Sequence, residues 1–105
     1  YEALLTQVGT SAPTATVLKN TLGTVSFARS SAGQYTVTAT GLLTLNKTDI
    51  SFNNVLNGAT TVYANIAVDD ATLTLNGFEI LTIGDSATQV DEILLHTRIG
   101  IKVYP

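Results

Sequence analysis

The sequence holds one histidine, His96, and this residue is the first to weigh as a catalytic or metal-binding group. A catalytic imidazole needs a nucleophile or an orienting carboxylate beside it, and a metal-binding imidazole usually comes with a second ligand. The residues around His96 supply no such partner. We therefore interpret His96 as an ordinary surface or interface residue.

Serine and glycine motifs give no stronger sign of an enzyme. The segment Gly84–Ser86 is similar to part of a serine-esterase motif, but it falls between late strands rather than in an α/β fold. We interpret it as a turn. The glycine-rich motifs that bind phosphates or dinucleotides are missing from the sequence. The prediction is a protein that is not an enzyme, with no catalytic residues and no cofactor.

Aspartates raise the question of a metal ion. Asp69 and Asp70, together with Asp85 or Asp91, have the carboxylate oxygens that Ca²⁺ prefers. Paired aspartates at the end of a strand more often form a turn, because their side chains bond nearby backbone groups. We favour the turn and predict no metal site.

Tyrosines and cations are the side chains best suited to contact a partner. Tyrosine rings beside threonine-rich faces fit either a carbohydrate surface or a contact between subunits. We favour the subunit contact, and a host surface glycan is the alternative. The predicted contact residues are Tyr35, Tyr63, His96, Arg98, Lys102 and Tyr104.

The composition indicates the elements that must position these residues. Charged residues make up only 12% of the 105 residues, whereas threonine alone occurs 18 times. Threonine, valine and isoleucine are β-branched, and such side chains pack well on a pleated sheet. The composition therefore predicts a chain built from strands.

Alternation of apolar and polar residues locates the strands. Thr24–Arg29 and Gln34–Thr40 flank a glycine-containing link and predict an antiparallel hairpin. Thr72–Asn76 and Phe78–Ile83 predict a second hairpin around Asn76–Gly77. Further predicted strands are Tyr1–Val8, Thr14–Lys19, Thr48–Phe52, Thr60–Val68 and Ile93–Tyr104, with a turn at Asp69–Asp70.

Eight to nine strands with no convincing helix predict an all-β fold, an antiparallel β-sandwich or jelly roll. The length predicts a single domain over residues 1–105. Because the sequence begins at Tyr1, inside the first predicted strand, we expect a module or fragment of a longer chain. The last predicted strand has one apolar face and one polar face that carries His96, Arg98, Lys102 and Tyr104.

Charge and hydropathy exclude two classes of partner. The net charge is −3 with no basic stripe, so nucleic acid is not expected to bind. No apolar run approaches the roughly 20 residues that a membrane helix needs, so no membrane association is expected.

Both ends of the sequence resemble one family. Tyr1–Pro13, Ala15–Gly23, Phe27 and Gly33–Thr36 resemble the start of a small C-terminal β-domain in structural proteins of tailed phages and prophages of Bacteroidetes hosts. The closing segment Thr97–Pro105 resembles the apolar and basic last strand of that domain. The resemblance covers roughly half of the chain, and residues 42–90 show little of it.

This resemblance implies a structural role in a virion, as a fibre tip or a head decoration, and an extracellular location. Together with the low charge it predicts a homo-oligomer, for which we expect a trimer. Two alternatives stay open. One is a carbohydrate-binding module, and the other is a subunit of an extracellular bacterial filament that pairs through Tyr1–Val8 or Ile93–Tyr104.

Overall fold

The computed structural model of the protein describes residues 1–53, 65–84 and 88–105, and these residues form eight strands. The strands are β1 (Glu2–Thr6), β2 (Thr14–Lys19), β3 (Ser26–Ser31), β4 (Gln34–Thr38), β5 (Thr48–Asn53), β6 (Asn65–Thr74), β7 (Gly77–Ile83) and β8 (Thr97–Val103). They make two antiparallel sheets, sheet A in the order β2-β1-β8-β5 and sheet B in the order β3-β4-β7-β6. The predicted all-β sandwich architecture is confirmed.

Alternation along the strands explains why the two sheets face each other. In β4, Tyr35 and Val37 are fully buried while Thr36 between them stays half-buried. In β1, Ala3 and Leu5 are fully buried in the same alternating way. Successive side chains of a strand point to opposite faces, so each sheet turns one apolar face inward.

The core draws residues from the central strands of both sheets, and burying their apolar surface is the main force that holds the sheets together. The buried apolar residues of this core are Tyr1, Ala3, Leu5, Tyr35, Val37, Ala39, Leu43, Phe78, Ile80, Leu94, Ile99 and Ile101.

Both predicted hairpins are present; the first has a tighter turn than predicted and the second has its turn at a different position. The link between β3 and β4 is Ala32–Gly33, because Ser31 already pairs with Gln34. The link between β6 and β7 is Leu75–Asn76, because Gly77 pairs with Thr74 and is itself part of β7. The second turn is thus displaced by one residue from the predicted Asn76–Gly77.

Two predicted boundaries are wrong. The last strand begins at Thr97, and Ile93–His96 lies outside any strand, with His96 at a φ of 48°. The predicted turn at Asp69–Asp70 lies inside β6, which has a shift of register after Asp69. The hydroxyl of Thr72 holds this irregular stretch to β7, since it donates to the Asp69 carbonyl oxygen and accepts from the backbone N–H of Glu79. Of the predicted strand Thr60–Val68, residues 60–64 lie outside the described residues.

The strands β1 and β8 are central in sheet A, because β1 pairs with β2 and β8, and β8 pairs with β1 and β5. The prediction that Tyr1–Val8 or Ile93–Tyr104 offers a free edge to a neighbouring subunit is therefore wrong. Among the described strands, the edges of sheet A are β2 and β5. No helix among the described residues is long and apolar enough to cross a membrane.

Candidate functional site

The outward face of sheet A carries a row of polar residues that the pairing of its strands brings together. In β8 the outward positions are Arg98, Gly100 and Lys102, which alternate with the buried Ile99 and Ile101. The next strands set polar residues beside this series, since residues directly opposite each other on antiparallel strands share a face. The outer face of the sheet is therefore mainly polar, although the core lies directly beneath it.

Gly100 lies at the centre of this face. Glu2 of β1 pairs with Gly100 on one side, and Ser51 of β5 pairs with it on the other. Lys19 of β2 pairs in turn with Glu2, so one row runs across all four strands. Gly100 is the one residue of this row without a side chain, and a depression in the sheet surface lies there.

This depression, which we call the Gly100 groove, has a volume of about 490 Å³. That volume lies within the range of small-ligand sites, about 300–1,000 Å³. The groove is lined by the charged residues Glu2, Lys19, Asp49, Arg98 and Lys102, by Ser51 and Gly100, and by Tyr1, Thr21, Leu22, Ile101, Val103 and Tyr104.

An ion pair forms one wall of the groove. The Arg98 guanidinium donates from Nη2 to Oε1 of Glu2. This hydrogen bond, and the positive charge behind it, hold the pKa of the Glu2 carboxyl below its ordinary value. Glu2 is thus ionised at neutral pH, and the Arg98 charge is partly neutralised within the protein.

Other ionic groups of the groove have no such partner in the described part of the chain. There the ion pairs join Arg29 to Asp91 and Arg98 to Glu2. The ammonium groups of Lys19 and Lys102 therefore remain available to an anion. Tyr104 follows β8 directly and is 53% exposed, so its ring is accessible beside the groove.

A second polar cluster lies between the sheets, at the end of β3 and β4. Arg29 donates from Nη2 to Asp91 Oδ2 at 2.8 Å, and the hydroxyl of Tyr35 donates to Asp91 Oδ1 at 2.7 Å. The backbone N–H of Gly33 donates to the same Oδ1 at 3.1 Å. The Tyr35 hydroxyl also lies 3.0 Å from Oε1 of Gln7, which follows β1.

Protonation within this cluster favours a structural role over acid–base chemistry. The hydrogen bond from Arg29 is the main reason that the pKa of Asp91 lies below its ordinary value, so Asp91 is a poor proton acceptor. Burial, with the hydrogen bond to Asp91, raises the pKa of Tyr35, so its hydroxyl stays protonated. Every buried side-chain polar atom in the described residues has a hydrogen-bond partner. The cluster therefore has the properties of a structural link between the loops and the two sheets.

The structure brings half of the predicted contact residues together. Arg98, Lys102 and Tyr104 all line the Gly100 groove. His96 is exposed in the turn before β8 and does not line the groove. Tyr35 is fully buried, so its prediction as a surface contact is wrong; its hydroxyl is satisfied inside the protein. The sixth, Tyr63, lies outside the described residues.

The aspartates considered for a metal ion are separated. Asp91 is engaged by Arg29, and the Asp69 carboxylate accepts from the backbone N–H of Ala71 at 3.1 Å, within the irregular stretch of β6. Asp85 lies outside the described residues. Among the described residues no group of three or more histidines or acids is placed to hold a metal ion.

Sequence reasoning missed several residues of both sites. Glu2, Lys19, Asp49 and Ser51 enter the groove only through strand pairing, which no local pattern of the sequence encodes. Gly100 is different, because a glycine at an outward position of an otherwise regular strand is a visible signal of a close approach.

No protein-family model, curated protein or solved structure matched the chain when it was compared with them.

Proposed function

We propose that this domain is a non-enzymatic structural or adhesion module that works in a homo-oligomer. The observation that carries the proposal is β2, a six-residue edge strand in which every residue is exposed. Val17 and Leu18 of this strand are 52% and 55% exposed. An edge strand with free backbone groups and exposed apolar side chains is suited to contact another chain.

Natural β-proteins usually protect such edges with charges, prolines, bulges or a covering loop. Among the described residues, two of these devices occur at β2. One is the single charge of Lys19 at its end, and the other is an irregularity in the pairing between Glu2 and Ala3. The proline nearby, Pro13, precedes the strand and leaves its backbone donors intact. Low overall charge adds support, since contact surfaces between subunits are depleted in charged residues at their centres.

The resemblance of both chain ends to structural proteins of tailed phages supports a setting in a virion. In that setting the module would belong to a fibre tip or a head decoration, outside the host cell. The closed symmetry that most homo-oligomers adopt supports a defined number of copies, and a trimer is the arrangement that we expect.

The test is the mass of the protein in solution, measured by sedimentation equilibrium over a hundredfold range of concentration. We expect a discrete multiple of the 11.0 kDa chain, namely three copies. A different closed oligomer would correct the number of copies and keep the assembly. A monomer at every concentration would refute the assembly proposal.

A second candidate function is carbohydrate binding, and the Gly100 groove is the observation that favours it. The groove combines an exposed tyrosine ring with hydroxyl, carboxylate and ammonium groups. Sugar rings present apolar faces for stacking and hydroxyls for hydrogen bonds, and this set of groups can meet both. A glycan array with the whole protein tests this candidate, and the lack of any bound glycan would exclude it.

A further inference from the structure

Gly100 is an unusual choice for the middle of a central strand. Its φ lies outside the left-handed region, so the backbone conformation does not require glycine there. Glycine in a strand interior weakens the strand, because it leaves no side chain to pack and costs more conformational entropy. What glycine provides at this position is room for the side chains of Ser51 and Arg98, whose polar atoms lie 2.9–3.6 Å from where a Cβ would be.

The space above Gly100 is narrow at its base. A Cβ atom on Gly100 would lie 2.9 Å from Ser51 Oγ and 3.5 Å from Arg98 Nη1. Any larger side chain would displace these two polar groups and fill the groove. Gly100 thus keeps the base of the groove flat and lets a ligand reach Ser51 and Arg98.

The groove concentrates the positive charge of an acidic protein. Three of the five cations in the chain line it, Lys19, Arg98 and Lys102, against two of the eight acids, Glu2 and Asp49. In the described part of the chain no ion pair occupies the ammonium groups of Lys19 and Lys102, and Asp49 lies opposite Lys102 in the pairing of β5 with β8. The surplus is one positive charge, which suits a ligand with one negative group per sugar unit.

The other groups of the groove suit the remainder of a sugar. Tyr104 presents an exposed ring two positions after Lys102, on the same outward series as Lys102 and Gly100. The Ser51 hydroxyl and the Asp49 carboxylate offer hydrogen bonds to sugar hydroxyls. Asp49 and Glu2 also repel closely spaced negative charges, so a polyanion such as nucleic acid fits poorly.

We propose that the Gly100 groove binds a carboxylate-bearing pyranose, as found in acidic surface polysaccharides. The sugar carboxylate pairs with Lys102, with Lys19 adding charge from the opposite side of the groove. The ring of the sugar lies against Tyr104, and its hydroxyls bond Ser51 and Asp49. This inference rests on the second candidate function, carbohydrate binding, and names the class of its ligand.

The experiment measures binding of the whole protein by isothermal titration calorimetry. The probes are oligomers of galacturonate and of mannuronate, together with sialyllactose, each at low salt. The matched neutral probes are the methyl esters of the two uronate oligomers, and lactose. The variants are Lys102→Gln, Tyr104→Ala and Gly100→Val, and Lys47→Gln is the control, since Lys47 is an exposed cation that does not line the groove.

We expect at least one acidic probe to bind and its neutral counterpart to bind at least tenfold more weakly. Lys102→Gln should weaken binding about tenfold, which corresponds to the loss of one charge-assisted contact. Tyr104→Ala and Gly100→Val should abolish it, and Lys47→Gln should leave it unchanged. A melting temperature close to that of the parent protein shows that a variant has kept its fold. If Gly100→Val has not kept its fold, Lys102→Gln is the decisive variant.

The results that overturn the inference are distinct from one another. Equal affinity for the acidic probe and its ester would overturn the acidic class and leave carbohydrate binding in place. Equal losses in Lys102→Gln and Lys47→Gln would overturn the groove as the site. If none of the probes binds, acidic or neutral, the inference is overturned. If the glycan array is empty as well, carbohydrate binding is also excluded. The assembly proposal is tested separately, by the measurement of mass.

Discussion

Arg29 and Asp91 form a bidentate pair across the protein, with Nη2 of Arg29 2.8 Å from Oδ2 of Asp91 and Nε 3.2 Å from each carboxylate oxygen. The pair joins β3 of sheet B to the segment that leads towards β8 of sheet A. Tyr35 and Gln7 extend the connection to β4 and to the end of β1. One carboxylate thereby holds together loops from both sheets.

Replacing Asp91 with asparagine should destabilise the fold although the side chain keeps its shape. The amide carries two N–H donors where one carboxylate oxygen accepted from Arg29, so a donor would face a donor. Hydrogen bonds to charged groups contribute roughly 1.5–3 kcal/mol, and we expect the free energy of unfolding to fall by about 2 kcal/mol. Urea denaturation at pH 7 measures the change.

The matched control for this variant is Asp70→Asn, which makes the same chemical change at an exposed position of β6. We expect it to change the free energy of unfolding by less than about 0.5 kcal/mol. Equal losses in the two variants would show that the cluster around Asp91 contributes no special stability.

Acid should weaken the parent protein more than Asp91→Asn. The pKa of Asp91 is lowered in the folded state from its ordinary value of 3.8, mainly by the hydrogen bond from Arg29. A group with a depressed folded pKa stabilises the protein fully above its unfolded pKa, and that contribution is lost as the pH falls through the folded value. The difference in stability between the parent and Asp91→Asn should therefore be constant from pH 7 to about 5 and shrink towards pH 2.

Chemical denaturation at a series of pH values between these limits measures this difference. Glu2→Gln is the informative comparison, because the Glu2 pKa is also lowered, by Arg98, but in a more exposed pair. The difference in stability between the parent and Glu2→Gln should also shrink as the pH falls, but by a smaller amount. A difference between parent and Asp91→Asn that stays constant down to pH 2 would contradict the ionised pair.

Local alternation predicted the parts of this fold that depend only on neighbouring residues. The inward series of β4 and β8 and both hairpins are of this kind, because the side-chain period of a strand is two. Tyr35 shows how the same signal can be overlooked. Its alternation with Thr36 placed it on the inner face with Val37, and its hydroxyl tolerates burial because it donates to Asp91, with Oε1 of Gln7 3.0 Å away.

Long-range pairing is what the sequence does not reveal. Arg29 and Asp91 are 62 positions apart, and Glu2 and Arg98 are 96 positions apart. Neither spacing has a local signature, since each depends on which strands become neighbours. The strand order of sheet A brings the residues of the Gly100 groove together and places β2 at the edge, beside the central strand β1.

Gly77→Ala should be severely destabilising, because two independent requirements demand glycine at the start of β7. The φ of Gly77 is 151°, which side chains rarely adopt, and a Cβ there would lie 2.0 Å from the carbonyl oxygen of Val37 in β4. The β4–β7 pairing would have to open at that end. We expect a loss of at least about 3 kcal/mol, by addition of backbone strain and steric overlap.

Gly41→Ala separates these two requirements. Gly41 has a φ of 70°, but no atom of the described residues lies within 4 Å of the position that a Cβ would take, so only the backbone cost applies there. That cost is about 1–2 kcal/mol. Thermal unfolding followed by circular dichroism should give Gly77→Ala a melting temperature well below that of Gly41→Ala. The reverse order would contradict the close approach of β7 to Val37.

Val17→Lys tests whether β2 is the surface through which copies of the chain meet. The side chain is 52% exposed in the free domain, so a lysine there should cost the fold less than about 0.5 kcal/mol. In a contact between copies the same lysine would bury a charge without a partner, which is strongly unfavourable. We expect the oligomer to dissociate to the 11.0 kDa monomer at concentrations where the parent is assembled.

The control is Val8→Lys, which places the same charge at a valine that is 66% exposed but lies after β1 and outside β2. This variant should keep the mass of the parent oligomer. Sedimentation velocity of the parent and both variants at equal concentration gives the comparison. An oligomer that survives Val17→Lys and dissociates with Val8→Lys would contradict a contact through the edge of sheet A. It would place the contact at the end of the molecule that carries the Arg29–Asp91 pair. Val8 lies at that end, because its neighbour Gly9 donates its backbone N–H to Glu92, the residue after Asp91.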